Sequence, residues 1–428
     1  RSCGPDAHRR QCTQIGAVAE MGGSTMDASS TEKTTATGST SASPRFEAAR
    51  RWNRLRNPEA RNVLFDKAAR DSADIYRKNI ENYVGTVNTP VGIAGPLRIN
   101  GEEASKDFMV PLATTEAALV ASYNRGSRLI SVAGGCHARV VDEGVSRTPM
   151  FAFRSVVEAT EFARFVVLAR PELAALVPEI TRFGRLKSLR TVIEGNHVYV
   201  DMRYTTGDAA GQNMVTFATD VLCRAILERS PVEPQHWFLE ANLSGDKKAT
   251  ASTLSGVRGK RVIADICLSA ELVEKGLHTT PQRMVDYWYG GAMGGVMSGT
   301  TGVQGHFANG LAALYLACGQ DIACVAESAT GITRMEVTTD GDLYTSVTLP
   351  NVIVGTVGGG TALPSAKACL ELLGLYGKGN ATAFAEVAAA IVLAGELSII
   401  GAFCSGDFAA AHHSLSRIGQ FDRGQTNE

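Results

Sequence analysis

The chain has 428 residues, 44% hydrophobic and 20% charged, a balance that suits a soluble globular protein of two or three domains. A formal charge of −1 removes any electrostatic case for nucleic acid or an anionic membrane, leaving small molecules and copies of the chain itself as expected partners. Nine cysteines form no C-x-x-C pair and several lie in apolar runs, which argues against zinc or a disulfide scaffold and for a reducing, cytoplasmic setting without a metal.

Residues 1–45 are rich in Ser, Thr, Ala and Gly without a helical or strand period, so they are expected to be disordered and outside the fold. They contain no continuous apolar h-region and do not read as a secretory signal, while an organelle transit peptide stays open. From "SPRFEAARRWNRL" to "DIYRKNIENY" the pattern is helical and charged, giving a small helical subdomain over 46–84. "VGTVNTPVGIAGPLRING" then reads as loop and strand, and "TTEAALVASYNRGSRLISVAGG" as a helix with Thr114 or Thr115 as N-cap and Glu116 in its first turn. Between about 145 and 240 the order is strand "PMFAFRSV", helix "EATEFARFVVLA", a hairpin turning at Gly195 and Asn196, helix "GQNMVTFATDVLCRAILERS" and strand "QHWFLEANL". This β-α-β-β-α-β order predicts a split βαβ, ferredoxin-like domain whose ends lie close enough for it to be inserted in a larger one. A strand, "KRVIADICLS", and a run of small residues, "YGGAMGGVMSGTTGVQGHFANGLAALYLACGQD", follow, the latter suited to close packing of backbone. "AEVAAAIVLAGELSIIGAF" carries Glu386 and Glu396, so it predicts a buried helix, and no membrane span is expected.

Several residues are candidates for chemistry. "NLSGDKKATAST" sets Asp246 against Lys247 and Lys248, which is either a solvated turn or a pair of ammonium groups placed to hold an anion. "GTVGGGT", between a strand and a helix, offers backbone N–H groups of Gly355, Gly358, Gly359 and Gly360 to an anion, but fits neither G-x-G-x-x-G nor the P-loop, so no Rossmann domain is expected. Glu116 reads either as a carboxylate compensating a helix dipole or as an acid, and Asp321 in "ACGQDIA" needs a partner such as a Lys. His412 and His413 are either surface residues or proton donors. Together Glu, Lys, Asp and His beside a Gly-rich loop suggest proton donors with an electrostatic clamp.

In this order, "ENYVGTVNTPVGIAGPL", "VPLATTEAALVASYNRG", "TTGDAAGQNM", "DKK", "ACGQD" and "VGTVGGGTALPSAKACLELLG" resemble the catalytic portion of 3-hydroxy-3-methylglutaryl-CoA reductases, over about residues 75–412. The "DKK" and "GTVGGGT" signals resemble the form found in eukaryotes and some prokaryotes, here without the eukaryotic membrane anchor. The resemblance implies an α+β fold: a large domain with a helical core, and an inserted ferredoxin-like small cofactor-binding domain. With the element reading it sets the expected boundaries at 46–84 for the N-terminal helices, 85–140 and 239–412 for the large domain, 141–238 for the insertion and 413–428 for a tail. It implies NADPH-dependent four-electron reduction of the thioester to mevalonate and free CoA in isoprenoid supply, by a homodimer or homotetramer sharing active sites.

Carried over by position, the resemblance makes Glu116 the catalytic acid, Lys247 the oxyanion-stabilising lysine, Asp321 the aspartate between them and His412 the donor to the departing CoA thiolate. Ser122, Arg139, Asp246 and Lys248 would hold the hydroxymethylglutaryl group. Asp208, Gly211, Gln212 and Asn213 would bind NADP, Arg182 its 2′-phosphate, and Gly358, Gly359 and Gly360 would lie beside cofactor and CoA. The match departs at Tyr289, near where the family usually has Lys, and at Glu240, where it often has Ser. Two alternatives accompany this reading: a CoA-ligand-binding relative impaired in turnover, and an NAD-dependent degradative enzyme running in reverse.

Overall fold

The computed structural model describes residues 43–256 and 258–406. The expectations for the N-terminal segment up to residue 42, for His412 and His413, and for the tail lie outside the described residues.

Four short helices, Pro44–Leu55, Pro58–Leu64, Lys67–Asp71 and Ala73–Tyr76, open the fold, and Asn57 and Asp66 cap two of them through their side chains. Their apolar sides form a cluster of their own around Trp52, Phe65 and Tyr83. Trp52 Nε1 donates to Val84 O at 2.7 Å, which ties the cluster to the loop that follows.

Ten strands form one continuous ladder: β1 Val91–Gly101, β2 Ser105–Ala113, β3 Cys136–Arg147, β4 Met150–Ala152, β5 Arg185–Glu194, β6 His197–Thr205, β7 His236–Phe238, β8 Gly259–Leu268, β9 Ile332–Val337 and β10 Leu343–Val352. The joint is β3. Its first residues pair with β1 and its length with β8, whereas its last three, Val145–Arg147, pair with β6. On the far side of that joint the order β7-β4-β6-β5 is antiparallel throughout. The hairpin between β5 and β6 turns at Gly195, whose φ of +57° is the left-handed conformation glycine tolerates. Helices Val156–Leu168 and Gln212–Arg229 pack here as expected, and a further helix, Arg170–Ile180, takes up "RPELAALVPEI", which periodicity did not separate from its neighbour.

The larger core surrounds the helix Ala381–Ser405, the one helix among the described residues long and apolar enough to cross a membrane, yet buried in the protein around nearly its whole circumference. Its two carboxylates explain why it belongs inside a protein. Glu386 accepts from the backbone N–H groups of Glu102, Glu103 and Ala104, and Glu396 from those of Gly305 and His306 and from Thr333 Oγ1. Glu396→Ala is therefore expected to lower the denaturation midpoint, since each orphaned buried donor costs about 1–3 kcal/mol. An unchanged midpoint on chemical denaturation would contradict that account. The helix Leu119–Val132 crosses the central helix so closely that a Cβ on Gly126 would sit 1.9 Å from Ala394 O.

Of the small residues of "YGGAMGG", Ala292 is buried within the chain while glycines beside it are not packed against. They lie on the helix Pro281–Ser298, where Gly290 and Gly294 face open space and Tyr289, Met293, Val296 and Met297 are exposed.

Candidate active site

Lys247 and Asp321 meet: the ammonium Nζ lies 2.8 Å from Asp321 Oδ2. Each is placed by its local chain. Asp321 spends its other oxygen capping the 3₁₀ turn Ile322–Cys324, accepting from Ala323 N at 3.1 Å, which fixes the carboxylate's direction. Lys247 is the third residue of a turn closed by Lys248 N donating to Gly245 O, and its φ is +56°. That conformation costs a residue with a Cβ about 1–2 kcal/mol, so the surroundings must hold it. The Asp321 hydrogen bond raises the pKa of the Lys247 ammonium against the smaller effect of desolvation, so the group is cationic at neutral pH.

The turn is held by buried charge. Asp246 receives Arg147 Nη1 at 3.0 Å and lies 2.7 Å from Arg258 Nη2, the second being an ion-pair contact outside hydrogen-bond geometry. Arg258, with its side chain 3% exposed, pairs with the fully buried Glu327 at 2.5 Å, and Glu327 Oε1 accepts the backbone N–H of Lys247 at 3.2 Å. Gln212 joins the same group, accepting from Arg258 and donating to Cys324 Sγ. Arg147, Arg258 and Glu327 escape sequence reasoning because each is a lone charge without local pattern.

Glu240, the departure nearest this loop, does not intrude on it. Its carboxylate is consumed by Asn242 N, Ser244 Oγ, Thr148 N and Arg147, so it organises the loop's entry. Lys248 is exposed and donates to Asp246 O at 3.0 Å, leaving the ammonium on the solvent side.

A cleft of about 1100 Å³ opens beside Asp321, lined among others by Tyr76, Val87, Gly211, Asn213 and Gly358–Gly360. Three motifs converge to form it. Gln320 donates to Gly355 O and accepts from Gly355 N, locking "GQD" to "GTVGGGT". A Cβ on Gly355 would sit 2.5 Å from Ala210 N, so the "GDAAGQN" segment presses directly on the glycine loop. Gly358 and Gly359 have φ of +73° and +53° with nothing near their Cβ positions, so their backbone faces the cleft. The start of the helix Gln212–Arg229 at Gly211 lines the same cleft, and a glycine loop with a helix N-terminus is a combination suited to a phosphate-bearing ligand. A dinucleotide or CoA fits this donor set and this volume.

Other expected residues lie elsewhere. Glu116 is not in the first turn of its helix, which begins at Leu119 after Ala118 in the left-handed region (φ +68°). Thr114 Oγ1 accepts from Glu116 N instead of capping the helix, and the Glu116 carboxylate takes both its contacts from Asn309 Nδ2, at 2.9 and 3.1 Å. Among the described residues no hydrogen bond or ion pair links Glu116 to Lys247 or Asp321. Ser122 shares a hydrogen bond with Ser398 of the central helix. Arg139 is not brought to the lysine loop: it bonds to Asn100 O and Ala138 O near the start of β3, roughly 25 Å along an extended strand from Arg147, the arginine that meets Asp246. The Asp208 carboxylate accepts from Gly379 N and Ala381 N, one bond on each oxygen, which joins this segment to the start of the central helix. Arg182 sits on the exposed loop before β5, where its carbonyl accepts from Arg185. Tyr289 is 63% exposed on the Pro281–Ser298 helix.

These features give an ammonium–carboxylate pair at the edge of a glycine-lined cleft, and comparison with known proteins places the chain in an enzyme family. The model of the hydroxymethylglutaryl-coenzyme A reductase family matches residues 46–417. The chain is 44% identical to the 3-hydroxy-3-methylglutaryl-coenzyme A reductase of Aeropyrum pernix over 356 residues, covering 82% of this chain and 84% of that one. It is 42% identical to that of Pyrococcus horikoshii, over 81% and 86%. Among solved structures, the class II reductase of Streptococcus pneumoniae bound to NADPH aligns with TM-score 0.64 at 20% identity, over 82% of this chain and 96% of that one, a likeness of fold. The chain belongs to the hydroxymethylglutaryl-coenzyme A reductase family, and is an enzyme of the oxidoreductase class.

Proposed function

We propose that the enzyme reduces (S)-3-hydroxy-3-methylglutaryl-CoA, with two NADPH and two protons, to mevalonate, CoA and two NADP⁺. The observation that carries this reading is the Lys247–Asp321 ion pair, on a strained turn beside the glycine-lined cleft. When bound, the nicotinamide supplies hydride to the carbonyl carbon. The chain's own residues manage charge and protons. Lys247 offers a fixed ammonium where the thioester oxygen becomes negative, and no reorganisation is needed as the charge develops. Asp321 keeps that ammonium protonated and aimed. Glu116 delivers a proton to the oxygen, and His412 protonates the departing thiolate. Lys248 meets the substrate's permanent carboxylate. The backbone of Gly211 and Gly358–Gly360 cradles phosphates, with Asn213 beside them and Arg182 toward a 2′-phosphate.

We read residues 141–238 as an inserted ferredoxin-like, cofactor-binding domain within the large domain. The strand order β7-β4-β6-β5 with its own hydrophobic cluster supports this. We also read the site as completed by a second copy of the chain. In support, among the described residues no hydrogen bond or ion pair joins Glu116 to Lys247 or Asp321, and the Pro281–Ser298 helix leaves small and apolar residues uncovered.

The test is turnover of purified enzyme on hydroxymethylglutaryl-CoA with NADPH and with NADH, read as kcat/KM. Oxidation that favours NADPH is expected. A preference for NADH, with faster mevalonate oxidation in the presence of CoA, would favour the degradative direction, and no oxidation with either would sink the reading.

A further inference from the structure

Residues 321–328 form one short helical stretch, the 3₁₀ turn Ile322–Cys324 running directly into the helix Val325–Ser328, and they touch Lys247 twice. Asp321 at the start holds the ammonium at 2.8 Å, and Glu327 near the end accepts the Lys247 backbone N–H at 3.2 Å. We propose that this stretch is a two-point clamp in which the buried Glu327, braced by Arg258, is a positioning residue that fixes the backbone of Lys247 so that its ammonium is delivered to Asp321. The inference rests on the oxyanion role given to Lys247 above.

Three observations carry it. First, Lys247 occupies a backbone conformation with φ +56°, in a turn position where Gly or Asn would be unstrained. Lysine there is held by outside contacts, and the carboxylate on its N–H is a charge-assisted one. Second, the brace reaches both sides of the strained residue: Arg258 binds Glu327 and also lies 2.7 Å from Asp246, the residue immediately before Lys247. Third, the clamp is anchored in the core, because Ser328 Oγ donates to Asn351 O and accepts from Tyr315 OH.

A carboxylate serving only to fill space would be a poor choice here. Glu327 is fully buried and its Oε2 has no hydrogen-bond partner. Burial pushes its carboxyl up to about 7 even against Arg258, with Asp246 adding to the rise and the Lys247 N–H opposing it; Tyr315 and Cys324 are the other titratable groups close by. A buried ionisable group of this kind is weak as a source of stability. Its retained contact, Oε1 to Lys247 N, is the one that bears on the site.

The test compares Glu327→Leu, which removes the acceptor, with Glu327→Gln, which keeps an amide oxygen, and with Lys247→Ala beside them. For Leu, kcat is expected to fall on the order of 10²-fold, the scale of an ångström-sized misplacement of a catalytic group. KM for NADPH should stay within about threefold, because no residue proposed above to hold the nicotinamide cofactor lies on the Lys247 turn. Gln should recover kcat to within about fivefold of wild type. Equal losses in Gln and Leu, no loss in either, or a loss confined to KM would overturn the proposal. If Leu fails to melt cooperatively, Glu327→Asp decides: it keeps the charge for Arg258 but withdraws the acceptor by one methylene, so kcat should fall with the melting midpoint retained, and an unchanged kcat would overturn the clamp. Should Lys247→Ala itself keep wild-type kcat, the oxyanion assignment fails, independently of what Glu327 does.

Discussion

Lys247→Ala is expected to lower kcat by about 10²–10³-fold, the usual cost of deleting one preorganised donor to a developing oxyanion. The variant should fold and still bind CoA, since the Lys247 side chain is 42% exposed and supports no part of the core. Lys247→Arg is the sharper comparison. It keeps a cation, but a planar guanidinium is longer and cannot replace a point charge seated 2.8 Å from Asp321 Oδ2, so it too should turn over slowly. Near-normal kcat in the Ala variant would refute the role. Because the turn around residue 247 is held by Asp246, Arg258 and Glu327 through backbone and neighbouring side chains, the loss would belong to the missing ammonium and not to a collapsed loop.

Glu116→Gln is expected to cost about 10²–10⁴-fold in kcat, the range for a positioned general acid. The amide still fits its site but carries no acidic proton. Glu116 is held by Asn309, and among the described residues no hydrogen bond or ion pair joins it to the Lys247–Asp321 pair, so the proposal that a second copy completes the site can be tested by complementation. Mixing Glu116→Gln with Lys247→Ala subunits under conditions of exchange should then restore activity, to about a quarter of wild type if dimers assort at random and one site of each mixed dimer is intact. No recovery in verified mixed oligomers would mean that each chain completes its own site.

How much of this was legible in the sequence depends on whether a residue's partner is local. The hairpin at Gly195 and the burial of the Ala381–Ser405 helix follow from turn chemistry and from two glutamates in an apolar run, signals contained within a few residues. Glu116 lies ahead of its helix, and not in the first turn, for an equally local reason. Thr114 looks like an N-cap, but its hydroxyl bonds to Glu116 N while Ala118 adopts a left-handed conformation that no alanine advertises. The charges that hold the lysine loop were invisible. Arg147, Arg258 and Glu327 come from a strand end, a loop and a short helix, and only folding shows that they surround Asp246 and Lys247. Arg139 and Arg147 lie on one strand, and spacing cannot say which end meets the loop. Glu240 stands where the family often has Ser, and only its four donors, brought together by folding, show that it serves its own turn.

The central claim is most directly tested by product stoichiometry with purified enzyme and limiting hydroxymethylglutaryl-CoA. The account predicts two NADPH oxidised for each thioester consumed, with one mevalonate and one free thiol released. One NADPH per thioester with accumulation of an aldehyde, or thiol release without nicotinamide oxidation, would contradict it.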